Sequence, residues 1–134
     1  MRKPFLVVTV AVVALMPSMV VQAQSTPPNA LNGAAIKKYF SGTRLYGTTP
    51  SGKTWLIDFR ADGTFTGAVN RGQDSGKWWV KDNTLCRSWT AWAKQEGEHS
   101  KAQACFSIVL DQAKKRVNYY RMDGSLYRSW RMGG

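Results

Sequence analysis

From Thr43 to Met132 the apolar side chains recur at a spacing of two, and turn residues interrupt them roughly every eight to twelve positions. A chain so patterned has little choice but to build an antiparallel up-and-down all-β meander, closed as a barrel or stacked as a sandwich. About eight strands are expected: Thr43 to Thr48, Thr54 to Arg60, Thr64 to Asn70, Lys77 to Lys81, Thr84 to Trp92, Ala102 to Leu110, Arg116 to Arg121 and Ser125 to Met132. The second places Trp55, Ile57 and Phe59 on one face and Asp58 and Arg60 on the other. One side of the sheet is therefore core and the other is wet.

An internal echo supports the up-and-down order. Asp82-Asn83-Thr84-Leu85-Cys86-Arg87-Ser88-Trp89 returns as Asp123-Gly124-Ser125-Leu126-Tyr127-Arg128-Ser129-Trp130, and Asp62-Gly63-Thr64-Phe65 is a shorter relative. Each follows a basic strand end, Lys81, Arg121 or Arg60, with a dipeptide that tolerates the positive φ of a tight hairpin. Repeated hairpin chemistry accounts for the echo without a duplicated binding unit.

Ahead of the strands the period is different. Ala35, Ile36, Tyr39 and Phe40 fall at the 3 and 4 spacing of one helical face, with Asn32 placed to cap the start and Gly42 to end it. This predicts one short N-terminal amphipathic helix that covers an open end or edge of the sheet. Residues 24–30 contain Pro27-Pro28 and read as a flexible leader. Residues 1–23 carry Arg2 and Lys3, an apolar run from Phe5 to Leu15 and Val21-Gln22-Ala23 at the cleavage position, the three parts of a secretory signal peptide. Pro17 and Ser18 interrupt the run before it reaches the roughly 20 residues of a membrane span. The expected product is periplasmic or secreted, has no transmembrane segment after cleavage, and consists of one domain over residues 31–134.

Both cysteines, Cys86 and Cys105, lie in that domain, and an even count in an exported chain points to a disulfide. Its loop of about 20 residues is worth roughly 3 kcal/mol in the chain-entropy model. If the two face each other across one hairpin, facing positions pair Leu85 with Phe106, Arg87 with Ala104 and Trp89 with Ala102.

The helix, the Asp62-Gly63 hairpin, Gly76-Lys77-Trp78 and the hairpin Cys pair together resemble an uncharacterised family of small exported proteobacterial domains with a lipocalin-like β-barrel, over roughly Leu31 to Trp130. The resemblance implies a fold and a compartment, and no catalytic residues.

The cysteine register has a chemical consequence. Phe106, Ile108 and Leu110 mark the core side, and parity puts Leu85, Arg87 and Trp89 on it; Leu126, Arg128 and Trp130 alternate in the same way on the last strand. Two arginines then point inward, where an unpartnered guanidinium costs several kcal/mol. One expectation is a ligand site in which Arg87 and Arg128 meet an anionic group and Trp55, Trp78, Trp89 and Trp130 line an apolar pocket. A second is that a bulge reverses the parity and leaves an exposed cation–π ladder. A third keeps the arginines inside, paired with Asp58 or Asp123.

Enzymatic function is not expected. Glu96, Glu98 and the single His99 form the nearest thing to a metal or acid–base cluster, and they read as a solvated loop tip. No phosphate-binding glycine loop is present, and no cofactor or metal is expected. The 19 basic side chains outnumber the 8 acidic ones, a formal +11. Export argues against a nucleic-acid partner, so the charge suggests weak binding to anionic envelope surfaces. The leading expectation is an exported non-enzymatic binding module for a small anionic or amphipathic ligand. The alternative is an envelope-surface interaction or inhibitor protein acting through its basic outer face.

Overall fold

A computed structural model describes residues 2–5, 8–17, 26–48, 51–69, 72–91 and 103–133. Outside these lie the strand ends expected at Asn70, Trp92 and Ala102, the Val21-Gln22-Ala23 site, and the Glu96, Glu98 and His99 cluster. One helix, α1 (Gly33–Phe40), precedes eight strands: β1 (Arg44–Thr48), β2 (Thr54–Phe59), β3 (Thr64–Val69), β4 (Gly72–Lys81), β5 (Thr84–Trp89), β6 (Ala104–Asp111), β7 (Arg116–Tyr120) and β8 (Leu126–Met132). Every strand pairs antiparallel with the next, and β8 returns to β1 through Leu45 opposite Met132 and Tyr46 opposite Arg131. The sheet is a closed barrel and not a sandwich. Closure leaves no strand edge to protect.

The helix forms where its cap and its apolar face coincide. The Asn32 side chain accepts the Ala35 N–H at 2.9 Å, and Gly33 donates its own N–H to Asn83 Oδ1 in the β4–β5 turn at 2.9 Å. Gly42 takes φ 87° and turns the chain into β1. Ile36 and Phe40 are fully buried, and the Phe40 ring meets Phe59 edge-on at 4.9 Å with Trp78 and Tyr119 just beyond. Burying two such side chains contributes about 1.5 to 3 kcal/mol each. The helix thus stoppers the end of the barrel where β2 turns into β3 and β4 into β5. Leading into it, Leu31 N–H donates to Ile108 O on β6 at 2.8 Å.

Two of the echoed turns are the same device. Asp62 Oδ1 accepts both the N–H and the hydroxyl of Thr64, at 2.9 and 2.6 Å, and Asp123 Oδ1 does the same for Ser125, at 2.8 and 2.6 Å. Arg60 and Arg121 each reach the hydroxyl from the preceding strand end, and Gly63 and Gly124 sit at φ 87° and 88°. The echo is turn chemistry.

The largest difference from the expected strands is β4, which begins at Gly72 rather than Lys77. Its first half, Gly72-Gln73-Asp74-Ser75-Gly76, has the composition of a turn, yet each residue pairs across to β3. Gly76 is required there because a Cβ would lie 2.7 Å from the Phe65 ring. The core runs unbroken from Ile36 and Phe40 through Leu45, Phe59, Leu85, Ile108 and Val117 to Trp89 and Trp130. An eight-stranded barrel is just wide enough for its side chains to fill it.

Candidate functional site

The disulfide sets the geometry. Cys86 and Cys105 are bonded and stand directly opposite one another, with Leu85 facing Phe106 and Arg87 facing Ala104. The parity expected from the cysteines holds through Arg87, which points into the barrel and is 7% exposed. Its guanidinium lies 5.7 Å from the Trp89 ring centre and 5.5 Å from that of Phe106, and Nη2 donates to the Tyr127 hydroxyl at 3.5 Å. Burial pulls its pKa down, opposed by the neighbouring Tyr127 and Tyr119. A guanidinium starts so high that it remains a cation at neutral pH.

The partner arginine arrives by a different route. Between β7 and β8 the register shifts: Tyr119 faces Arg128 while Tyr120 faces Leu126, which leaves Tyr127 as the extra residue of a bulge. Strict alternation through Leu126, Arg128 and Trp130 is therefore incorrect. Leu126 is half exposed, whereas Tyr127 and Arg128 both reach the interior. Tyr127 stacks on Phe106 with ring centres 4.6 Å apart. The Arg128 guanidinium sits 5.6 Å from the Trp55 ring centre, 5.5 Å from Tyr127 and 5.9 Å from Trp130. The cation–π contacts foreseen for an exposed ladder occur inside the barrel instead.

Neither arginine is held by the acids considered for it. Asp58 faces outward and pairs with Arg44 at 2.6 Å, and Asp123 is occupied with its own turn. Trp55, Trp89, Trp130, Arg87 and Arg128 converge, with Tyr119 and Tyr127, on one cavity of about 20 Å³. Among the described residues no Asp or Glu lines it. Two further donors border it without a hydrogen-bond partner among the described residues, the buried Trp130 Nε1 and Tyr119 hydroxyl. Burial pushes the Tyr119 hydroxyl pKa up, so it too presents a proton.

Trp78 does not join this group. It lies at the helix end, where Nε1 donates to Arg60 O at 2.9 Å and the Lys37 ammonium covers its ring at 4.6 Å. The cavity sits at the opposite end, where β1 hands over to β2, β3 to β4, β5 to β6 and β7 to β8. Its volume admits about one water-sized group, far below the roughly 300 to 1,000 Å³ of a ligand-enclosing pocket. A hydrocarbon tail could not be enclosed in it.

Two site residues are missed by the sequence reading: Tyr127, which alternation overlooks because of the bulge, and Tyr119, which shares the inward parity of Val117 on β7. Gly47 is a third, since a Cβ there would lie 2.6 Å from the Trp130 ring. Among the described residues no group of three His, Cys, Asp or Glu side chains could hold a metal ion, and no helix is long and apolar enough to cross a membrane. No family model, curated protein or solved structure matches the chain.

Proposed function

We propose that the protein is an exported, non-enzymatic binding module that takes a small anion, or the anionic head of an amphipathic molecule, into the mouth of its barrel. The observation that carries this reading is a donor-rich cavity: two guanidinium groups, the Trp130 N–H and the Tyr119 hydroxyl border one space, and among the described residues no carboxylate lies on its wall. Charge-assisted hydrogen bonds from such groups to a carboxylate are about twice as strong as neutral ones. The aromatic walls of Trp55, Trp89 and Trp130 exclude water and lower the local dielectric, which strengthens the attraction further. A tail would extend out over the half-buried Trp55 and Tyr127 at the rim.

Export is supported by the N-terminal segment, whose Phe5, Val8, Val12 and Leu15 are more than 70% exposed while the barrel fills its core without them. The disulfide fits an oxidising compartment. The up-and-down barrel with one helix and one Cys pair is also what the resemblance to small exported lipocalin-like domains implies.

Tryptophan fluorescence tests the reading, because three indoles border the cavity. Titration with acetate, and separately with octanoate, should give a saturable change that Arg128→Met abolishes. The same response in parent and variant, or none to either carboxylate, would refute it.

A further inference from the structure

We propose that the outer wall of β7, β8 and β1 docks onto an anionic phospholipid surface, at the end of the barrel away from the mouth. Register forces the arrangement. Arg116 on β7 stands directly opposite Arg131 on β8, and Arg131 in turn faces Tyr46 on β1. Like charges placed directly across two strands destabilise a sheet. Lys114 and Lys115 of the β6–β7 turn add two more cations beside them, Lys115 at φ 51°. These four, with Tyr46 and Met132, line one open groove of about 520 Å³.

Among the described residues one carboxylate stands beside the four cations, and it leaves the cluster with a net excess of positive charge. That carboxylate is Asp111, the cross-strand neighbour of Arg116 on its other side, which accepts the Lys114 N–H at 3.1 Å and offsets one of the four charges. Among the described residues the four cations form no ion pair with an acid. An external anion therefore relieves a repulsion that the fold itself imposes, and phosphate is the group that two opposed guanidiniums match best.

Shape and composition favour a lipid surface over a soluble polymer. The patch does not extend along β1, where the next cation, Arg44, is tied to Asp58. A flexible polyanion gains by following an extended stripe of charge. Tyr46 places a half-buried ring among the cations, the mixture suited to a headgroup interface, while Met132, opposite the buried Leu45, packs towards the core beneath them. Docking here leaves the opposite end open, so the surface and the barrel mouth act independently.

The test is cosedimentation of the full chain with phosphatidylcholine vesicles, with and without about 30% phosphatidylglycerol. Parent and variant carry the same N-terminal apolar segment, so their difference isolates the patch. The parent should prefer the anionic vesicles and lose that preference in about 0.5 M salt. Arg116→Gln with Arg131→Gln should weaken anionic-vesicle binding about 25-fold at low salt, while melting temperature holds or rises and the acetate response stays unchanged. Lys114→Gln with Lys115→Gln, on the exposed turn, provides the same reading should the strand pair fail to fold. Equal binding to neutral and anionic vesicles, or variants that bind as the parent does, would overturn the proposal. Tight, patch-dependent binding to soluble polyphosphate with vesicles ignored would overturn it as well.

Discussion

Cys86 and Cys105 face each other as direct register partners across β5 and β6, with their Cα atoms 4.0 Å apart. The pairing puts Arg87 opposite Ala104, whose small side chain leaves the inner wall clear beside the guanidinium. The covalent link therefore stabilises the domain and also sets the height at which one cation meets the mouth.

Removing that link should cost about 3 kcal/mol, the loop-closure value for a sequence separation of 19. Denaturant unfolding of Cys86→Ala with Cys105→Ala measures it. The acetate response should weaken in the same variant, since Arg87 loses its fixed register. Two titratable thiols in the oxidised, unfolded protein would contradict the assignment.

Two glycines make room for aromatic rings, and their replacement should be disproportionately expensive. A Cβ at Gly76 would meet the Phe65 ring at 2.7 Å and the backbone oxygen of Ser88, so Gly76→Ala should cost about 2 to 4 kcal/mol. Gly52, at φ 83° with nothing within 4 Å of its virtual Cβ, is the control; Gly52→Ala should cost only about 1 kcal/mol. Similar losses at the two positions, measured by chemical denaturation, would rule out the ring-clearance account.

What could be read in advance follows from what is local. The helix was legible because Asn32, Ile36, Tyr39 and Phe40 signal their roles within one or two turns, and the inward parity of Arg87 followed from the cysteine pair. The first half of β4 was not legible, because Gly72 to Gly76 is a strand only through its pairing with β3. The bulge that sends Tyr127 inward and Leu126 outward belongs to the β7–β8 pairing and leaves no local mark. Trp78 shares its inward parity with Trp55, Trp89 and Trp130, but parity says nothing about height along the barrel axis. Height depends on the stagger of all eight strands, and it separates Trp78 from the other three.

The two Asp-Gly turns should shape the acid limb of the stability curve. Hydrogen bonds from the Thr64 hydroxyl and N–H hold the Asp62 carboxyl below its usual range, and Ser125 does the same for Asp123. A depressed folded pKa contributes stability above the unfolded value of about 3.9, and that contribution disappears as pH falls through the lower folded value. Asp62→Asn with Asp123→Asn should flatten the loss of stability below about pH 4, read from melting temperatures across pH. Tyr119 acts at the other extreme: burial raises its pKa, so stability present below about pH 10 is lost as pH rises further, and Tyr119→Phe should remove that part of the alkaline limb. An unaltered limb in either variant would reassign the titration to other groups.

Arg128 decides the central claim, because it is a half-buried cation surrounded by three rings in a cavity wall that, among the described residues, contains no acid. The most direct measurement is denaturant unfolding of the parent and Arg128→Met, each with and without acetate. Methionine keeps a favourable sulfur contact with the rings while removing the charge. The account predicts that Arg128→Met is at least as stable as the parent without anion and does not respond to acetate. The parent should gain stability with concentration, reaching about 2.7 kcal/mol at 100 times the dissociation constant. Equal stabilisation of both proteins by acetate, or a parent indifferent to it, would contradict an anion site in the barrel mouth.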